Sequence, residues 1–131
     1  MAIEKDGSSM SEIIEANFDQ DYRAALDNFL ARAMAAFGDR ILSATLYGSK
    51  ARGDDAPDSD VDVALIVSAD DPDLYRGLVR LAARISLEYN ILLDPRVIPA
   101  ERWEHYAKLG YPLWENVQRD GILLNLTREL A

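Results

Sequence analysis

Three aspartates and a Gly-Ser turn are the residues in this chain whose types and spacing suit chemistry. Asp60 and Asp62 stand in the run Asp58-Ser59-Asp60-Val61-Asp62-Val63-Ala64-Leu65-Ile66-Val67. Side chains alternate between the faces of a strand, so Asp60 and Asp62 point one way while Val61, Val63, Leu65 and Val67 point the other, into a core. Two carboxylates side by side repel each other and raise at least one pKa unless a cation lies between them. With only oxygen ligands at hand and no His or Cys nearby, the expected cation is Mg²⁺, with Mn²⁺ as its alternative, and Mg²⁺ commonly completes its shell with water and phosphate oxygens. Gly48-Ser49, ahead of a short helical turn over Lys50, Ala51 and Arg52, is the matching half. A glycine lets a phosphate approach the backbone, the Ser49 hydroxyl and the amides of a helix start donate to it, and Lys50 and Arg52 add positive charge. Asp94 lies in Leu92-Leu93-Asp94-Pro95-Arg96, an apolar run in which an isolated aspartate is costly. If that run pairs beside residues 61–67, Asp94 completes a cluster of three carboxylates.

The elements that must position these groups follow from periodicity. Apolar residues recur at three- and four-residue steps through Ile14, Phe18, Tyr22, Leu26, Phe29, Leu30, Ala33 and Phe37, which predicts a helix over residues 11–37 that ends at Gly38. Strands are expected over residues 41–47 and 61–67. Asp71-Pro72 opens a second helix, with Asp71 as cap and Pro72 in the first turn, and Leu74, Leu78, Leu81, Ala82 and Ile85 as its buried stripe to about residue 87. Residues 91–98 read as a third strand, at an edge or bulged after Pro95. A short helix over 112–120 closes at Gly121, and residues 122–124 form a last strand. The arrangement predicts an α/β (α+β) fold: one mixed sheet covered by helices, in a single domain over residues 11–131 after a flexible start over 1–10.

Composition narrows the function classes. The 131 residues include 23 acidic and 14 basic side chains, a net charge of -9, and no cysteine. A disulfide framework and Cys-ligated metal sites are thereby excluded. Direct nucleic-acid binding is not expected, because affinity for phosphate backbones rests on Lys and Arg. No run has the length to span a bilayer, and Met1-Ala2-Ile3-Glu4-Lys5-Asp6 has neither the basic stretch nor the apolar run of a secretory signal, so a cytoplasmic address is expected. Arg76, Arg80 and Arg84 make a basic stripe on one helix face, read as solvated. His105 is expected at the surface, and Trp103, Tyr106, Tyr111 and Trp114 either as packing under the last helix or as a partner patch.

Gly48-Ser49-Lys50-Ala51-Arg52-Gly53 followed by Ser59-Asp60-Val61-Asp62 resembles the GSxARG…SDxD signature of the minimal nucleotidyltransferases, a branch of the DNA polymerase β superfamily. The stretch from Gly110 to Ile122 is similar to the tail of the prokaryotic members called MNT antitoxins. The resemblance implies a polymerase-β-type nucleotidyltransferase sheet in which Ser49 contacts a triphosphate, Asp60 and Asp62 hold two metal ions, and Asp94 is the third carboxylate. It further implies an ATP-dependent protein adenylyltransferase that acts as the antitoxin of a HEPN-domain toxin, transferring AMP to a tyrosine of that RNase within a hetero-oligomer. Two alternatives accompany it: an antitoxin that neutralises its toxin by contact alone, and a small-molecule nucleotidyltransferase of the aminoglycoside-modifying kind.

Overall fold

A computed structural model describes residues 10–53 and 60–126, with side chains from residue 22 onward. The expected flexible start therefore lies outside the described residues except for Met10, as do the side chains of Ile14 and Phe18 and the loop containing Ser59. Among the described residues the chain runs α1 (Met10–Phe37), a 3-10 turn (Gly38–Arg40), β1 (Ile41–Tyr47), α2 (Ser49–Arg52), β2 (Val61–Val67), α3 (Pro72–Tyr89), β3 (Leu93–Pro99), α4 (Ala100–Leu109), α5 (Pro112–Asp120) and β4 (Ile122–Leu123). The four strands form one mixed sheet in the order β3-β2-β1-β4. β1 is antiparallel to both β2 and β4, while β2 and β3 run parallel, joined by α3 as the crossover helix.

α1 and α3 cover one face of the sheet. From α1, Tyr22, Leu26, Phe29, Leu30 and Ala33 are buried, and from α3, Leu74, Leu78, Ala82 and Ile85 meet the inward residues of β2, Val61, Val63, Leu65 and Val67. Each large apolar side chain taken fully out of water contributes roughly 1.5–3 kcal/mol before entropy is counted. Asn28 Nδ2 donates to the Tyr89 hydroxyl at 2.8 Å, tying the two helices together. The other face carries a smaller apolar layer in which Tyr47, Ala64 and Val117 pack with Trp103 and Leu113 from α4 and α5. Of the aromatic group, Tyr106 stacks on Tyr111 with centroids 4.3 Å apart and Trp103 meets Tyr106 edge-on while also packing against this layer.

The start of α3 forms as its sequence dictates. The Asp71 carboxylate accepts from the amides of Asp73 at 3.0 Å and Leu74 at 3.4 Å, and Pro72 occupies the first turn. The helix runs two residues beyond the expected end, because Asn90 adopts the left-handed conformation that caps it. β3 accordingly begins at Leu93 and not at Ile91. Its first amide donates to the Ser86 hydroxyl at 3.0 Å. Pro95 does not interrupt the strand: β3 is an edge strand, where a residue without an N–H can continue a ladder. Gly121 closes α5 without a left-handed turn. A Cβ at that position would fall against the Val117 carbonyl and within 2.7 Å of Thr45 Cγ2, so glycine allows β4 to return close beside β1.

Candidate active site

Strand register assembles the acids. β2 and β3 pair in parallel with Asp62 opposite Asp94, and the partner of Tyr47 on the antiparallel side is Asp62. Opposed residues share a face, so Asp62 and Asp94 emerge together on neighbouring strands, and Asp60, two residues before Asp62, joins them. One carboxylate oxygen from each of Asp60, Asp62 and Asp94 lies within 4.8 Å of the others. The two aspartates of one strand and the distant one expected beside them thus meet in one cluster. Three hard oxygen donors converging in this way suit a divalent cation of the Mg²⁺ or Mn²⁺ type.

The electrostatics of the cluster carry the strain of that convergence. Asp62 is pushed above the usual carboxylate range, first by burial and then by the charges of Asp94 and Asp60; Arg96 and Arg52 pull the other way. Arg96 Nε lies 4.0 Å from Asp94 Oδ2. Tyr47, buried beside the acids, has its hydroxyl pushed up to about 12, by burial first and the Asp62 charge second.

The Gly48 turn abuts the cluster directly. Gly48 has φ +79°, a conformation in which a side chain is strained, and a Cβ there would collide with the Asp62 carboxylate. α2 follows at once: Arg52 N donates to the Gly48 carbonyl at 3.1 Å and Gly53 N to the Ser49 carbonyl at 2.9 Å. The amides of Ser49 and its successors thus open a helical turn next to three carboxylates, an arrangement that gathers donors for a phosphate where a cation would also sit.

The two cations of the turn are placed differently. Arg52 is close enough to Asp62 to favour its charged form, and its Nη1 donates to Asp120 Oδ2 at 3.3 Å. Lys50, expected at the phosphates, is instead buried, with its ammonium 5.2 Å from the centre of the Tyr22 ring on α1. The reason is helical geometry: at about 100° per residue, side chains two apart leave a turn on nearly opposite sides, so only one of the pair faces the acids. Arg96, beside Asp94, and Asp120, paired with Arg52, are neighbours of these groups that the motif does not mark. Arg96 has a readable signal, being two residues beyond Asp94 and hence on its face, whereas nothing local connects Asp120 with Arg52.

Residues 29–107 match the family described as Nucleotidyltransferase domain. A protein of Methanocaldococcus jannaschii, provisionally named protein adenylyltransferase MJ0141, is 41% identical over 59 residues, 44% of this chain and 59% of its own length. The chain thus covers about three-fifths of that relative. A second protein of the same organism, provisionally named protein adenylyltransferase MJ0604, is 25% identical over 100 residues, 76% of this chain and 94% of its own. Among solved structures, a chain of a toxin-antitoxin crystal structure with AMP-PNP superposes with a TM-score of 0.53 at 16% identity, covering 79% of this chain and 73% of that one; the likeness is one of fold.

Proposed function

Because this chain belongs to the nucleotidyltransferase domain family, whose match spans more than half its length, we propose that residues 11–131 form one domain that transfers AMP from ATP to a protein acceptor. The observation that carries the reading is the meeting of Asp60, Asp62 and Asp94 within 4.8 Å of one another, against a glycine turn that a phosphate can approach. In the reaction, an acceptor hydroxyl oxygen bonds to the α-phosphorus of ATP, the bond from that phosphorus to the β-bridging oxygen breaks, and pyrophosphate leaves. Gly48, Ser49 and Arg52 grip the triphosphate, while Asp94, on the edge strand, assists removal of the hydroxyl proton. Asp60, Asp62 and Asp94 are the residues that would hold two Mg²⁺ ions, which when bound supply charge neutralisation of the triphosphate. Much of the catalysis is positioning and electrostatics, as in phosphoryl transfer generally.

The acceptor we assign is a tyrosine of a HEPN-domain toxin RNase, making the chain the antitoxin of a two-protein pair. Support comes from the GSxARG…SDxD resemblance, from relatives named as protein adenylyltransferases, and from the shared fold with a chain of a toxin-antitoxin structure with AMP-PNP. Among the described residues no helix is long and apolar enough to cross a membrane. The test is incubation with α-labelled ATP, Mg²⁺ and the neighbouring-gene product. Label on that partner from the parent chain, absent with Asp60→Asn or Asp62→Asn, is the expected result. Neutralisation of the partner by both variants, with no label from any of them, would refute transfer and leave an antitoxin that acts by contact.

A further inference from the structure

Asp120 is the last residue of α5, where the helix dipole disfavours a carboxylate. Two arginines surround it there. Arg119 forks onto it, with Nε 3.2 Å from both oxygens and Nη2 2.9 Å from Oδ2, and the same Nη2 donates to Asn116 Oδ1 at 3.2 Å. Arg52 Nη1 reaches the same Oδ2 at 3.3 Å from the turn that follows β1. The Asp120 side chain is only 11% exposed, whereas Arg52 is 41% and Arg119 63% exposed. Asn116 and Arg119 therefore fix the carboxylate, and the carboxylate in turn fixes the guanidinium of Arg52. Ion pairs this open contribute little to stability. Their effect here is directional: they hold one end of Arg52, which stands on the short turn whose Gly48 lies against the Asp62 carboxylate.

We propose that Asp120 is a positioning residue for nucleotide binding: it anchors Arg52 from α5 so that the guanidinium stays turned toward the phosphates of a nucleoside triphosphate seated at Gly48-Ser49. The inference rests on the nucleotidyltransferase reading above and adds to it a residue 68 positions away in sequence from the one it orients. An arginine presents its donors in a fixed plane, so anchoring one edge determines where the rest of the fork points. α5 thereby becomes part of the nucleotide site without touching the nucleotide.

The experiment is a double-mutant cycle read by titration calorimetry with AMP-PNP and Mg²⁺. Arg52→Ala weakens binding about tenfold and Asp120→Asn about fivefold, the scale set by removing or misdirecting one charge-assisted hydrogen bond. The combined variant binds no more weakly than Arg52→Ala alone, because Asp120 acts only through Arg52. In turnover, Asp120→Asn raises the KM for ATP and leaves kcat within about twofold. Arg119→Gln, which frees the carboxylate while keeping its charge, weakens binding in the same direction and has no effect in the Arg52→Ala background; it serves if Asp120→Asn does not fold. Additive effects in the cycle, or AMP-PNP affinity unchanged in both Asp120→Asn and Arg119→Gln, overturn the proposal while leaving the transferase reading intact. No binding by the parent chain overturns both.

Discussion

Replacing Asp62 by asparagine should make the metal-free protein more stable, not less. Asp62 has two carboxylate neighbours with oxygens within 4.8 Å, and at that separation each unit-charge repulsion costs about 0.9 kcal/mol under water-like screening and more where water is excluded. Arg96 and Arg52 offset part of this, which leaves a net gain of about 1 kcal/mol for Asp62→Asn, or roughly 4 °C in Tm for a chain of this size. The sign in pH follows from the direction of the shift. Because burial and like charges raise the pKa of Asp62 in the folded state, the folded protein is favoured while the group is protonated, and that advantage is lost as pH rises through the raised pKa. The gain in Asp62→Asn is therefore present above the raised pKa and shrinks as pH falls through it. Mg²⁺ inverts the ranking: at a hundredfold excess over its dissociation constant the parent gains about 2.7 kcal/mol, and the variant gains far less. The assay is thermal unfolding followed by circular dichroism, with chelator or with Mg²⁺, from pH 4 to 8. A metal-free Asp62→Asn that melts at or below the parent at pH 7, or one that gains as much from Mg²⁺ as the parent, would refute the reasoning.

Three further outcomes are expected. Gly48→Ala forces a side chain into φ +79° and onto the Asp62 carboxylate; it should cost about 1–2 kcal/mol or more in thermal unfolding and abolish measurable AMP-PNP binding in calorimetry. Asp71→Ala, which removes two cap hydrogen bonds far from the acids, should cost about 1 kcal/mol by chemical denaturation while leaving nucleotide affinity unchanged. Ultraviolet titration should show one tyrosine ionising near pH 12, absent in Tyr47→Phe. Since that pKa lies above the ordinary 10.0, Tyr47 supports folding fully below pH 10 and ceases to do so as pH rises through about 12, so the parent should lose stability across that interval faster than Tyr47→Phe.

Local chemistry makes much of this molecule readable in its sequence. Val61 through Val67 form a strand buried on both faces because every second residue and most of those between are apolar, and Asp71-Pro72 starts a helix whose cap and first turn are specified by two adjacent side chains. The pairing of Asp60 with Asp62 is legible because strand alternation puts them on one side. Asp94 depends on a strand pairing that periodicity alone does not determine; the parallel register that sets it opposite Asp62 arises only when α3 folds back over the sheet. Apolar periodicity starts β3 two residues early because Asn90, not an apolar boundary, ends the preceding helix. Lys50 reads as a phosphate ligand on charge alone, yet its position within a turn directs it to Tyr22. The Arg52–Asp120 pair joins elements 68 positions apart and leaves no local trace.

Anomalous diffraction from crystals grown with Mn²⁺ and AMP-PNP would test the central claim most directly. The account predicts an anomalous peak within coordination distance of carboxylate oxygens from Asp60, Asp62 and Asp94, shared with phosphate oxygens of a nucleotide whose triphosphate lies along Gly48, Ser49 and Arg52. A nucleotide bound elsewhere, or a peak that misses these three aspartates while the triphosphate is in place, would contradict it.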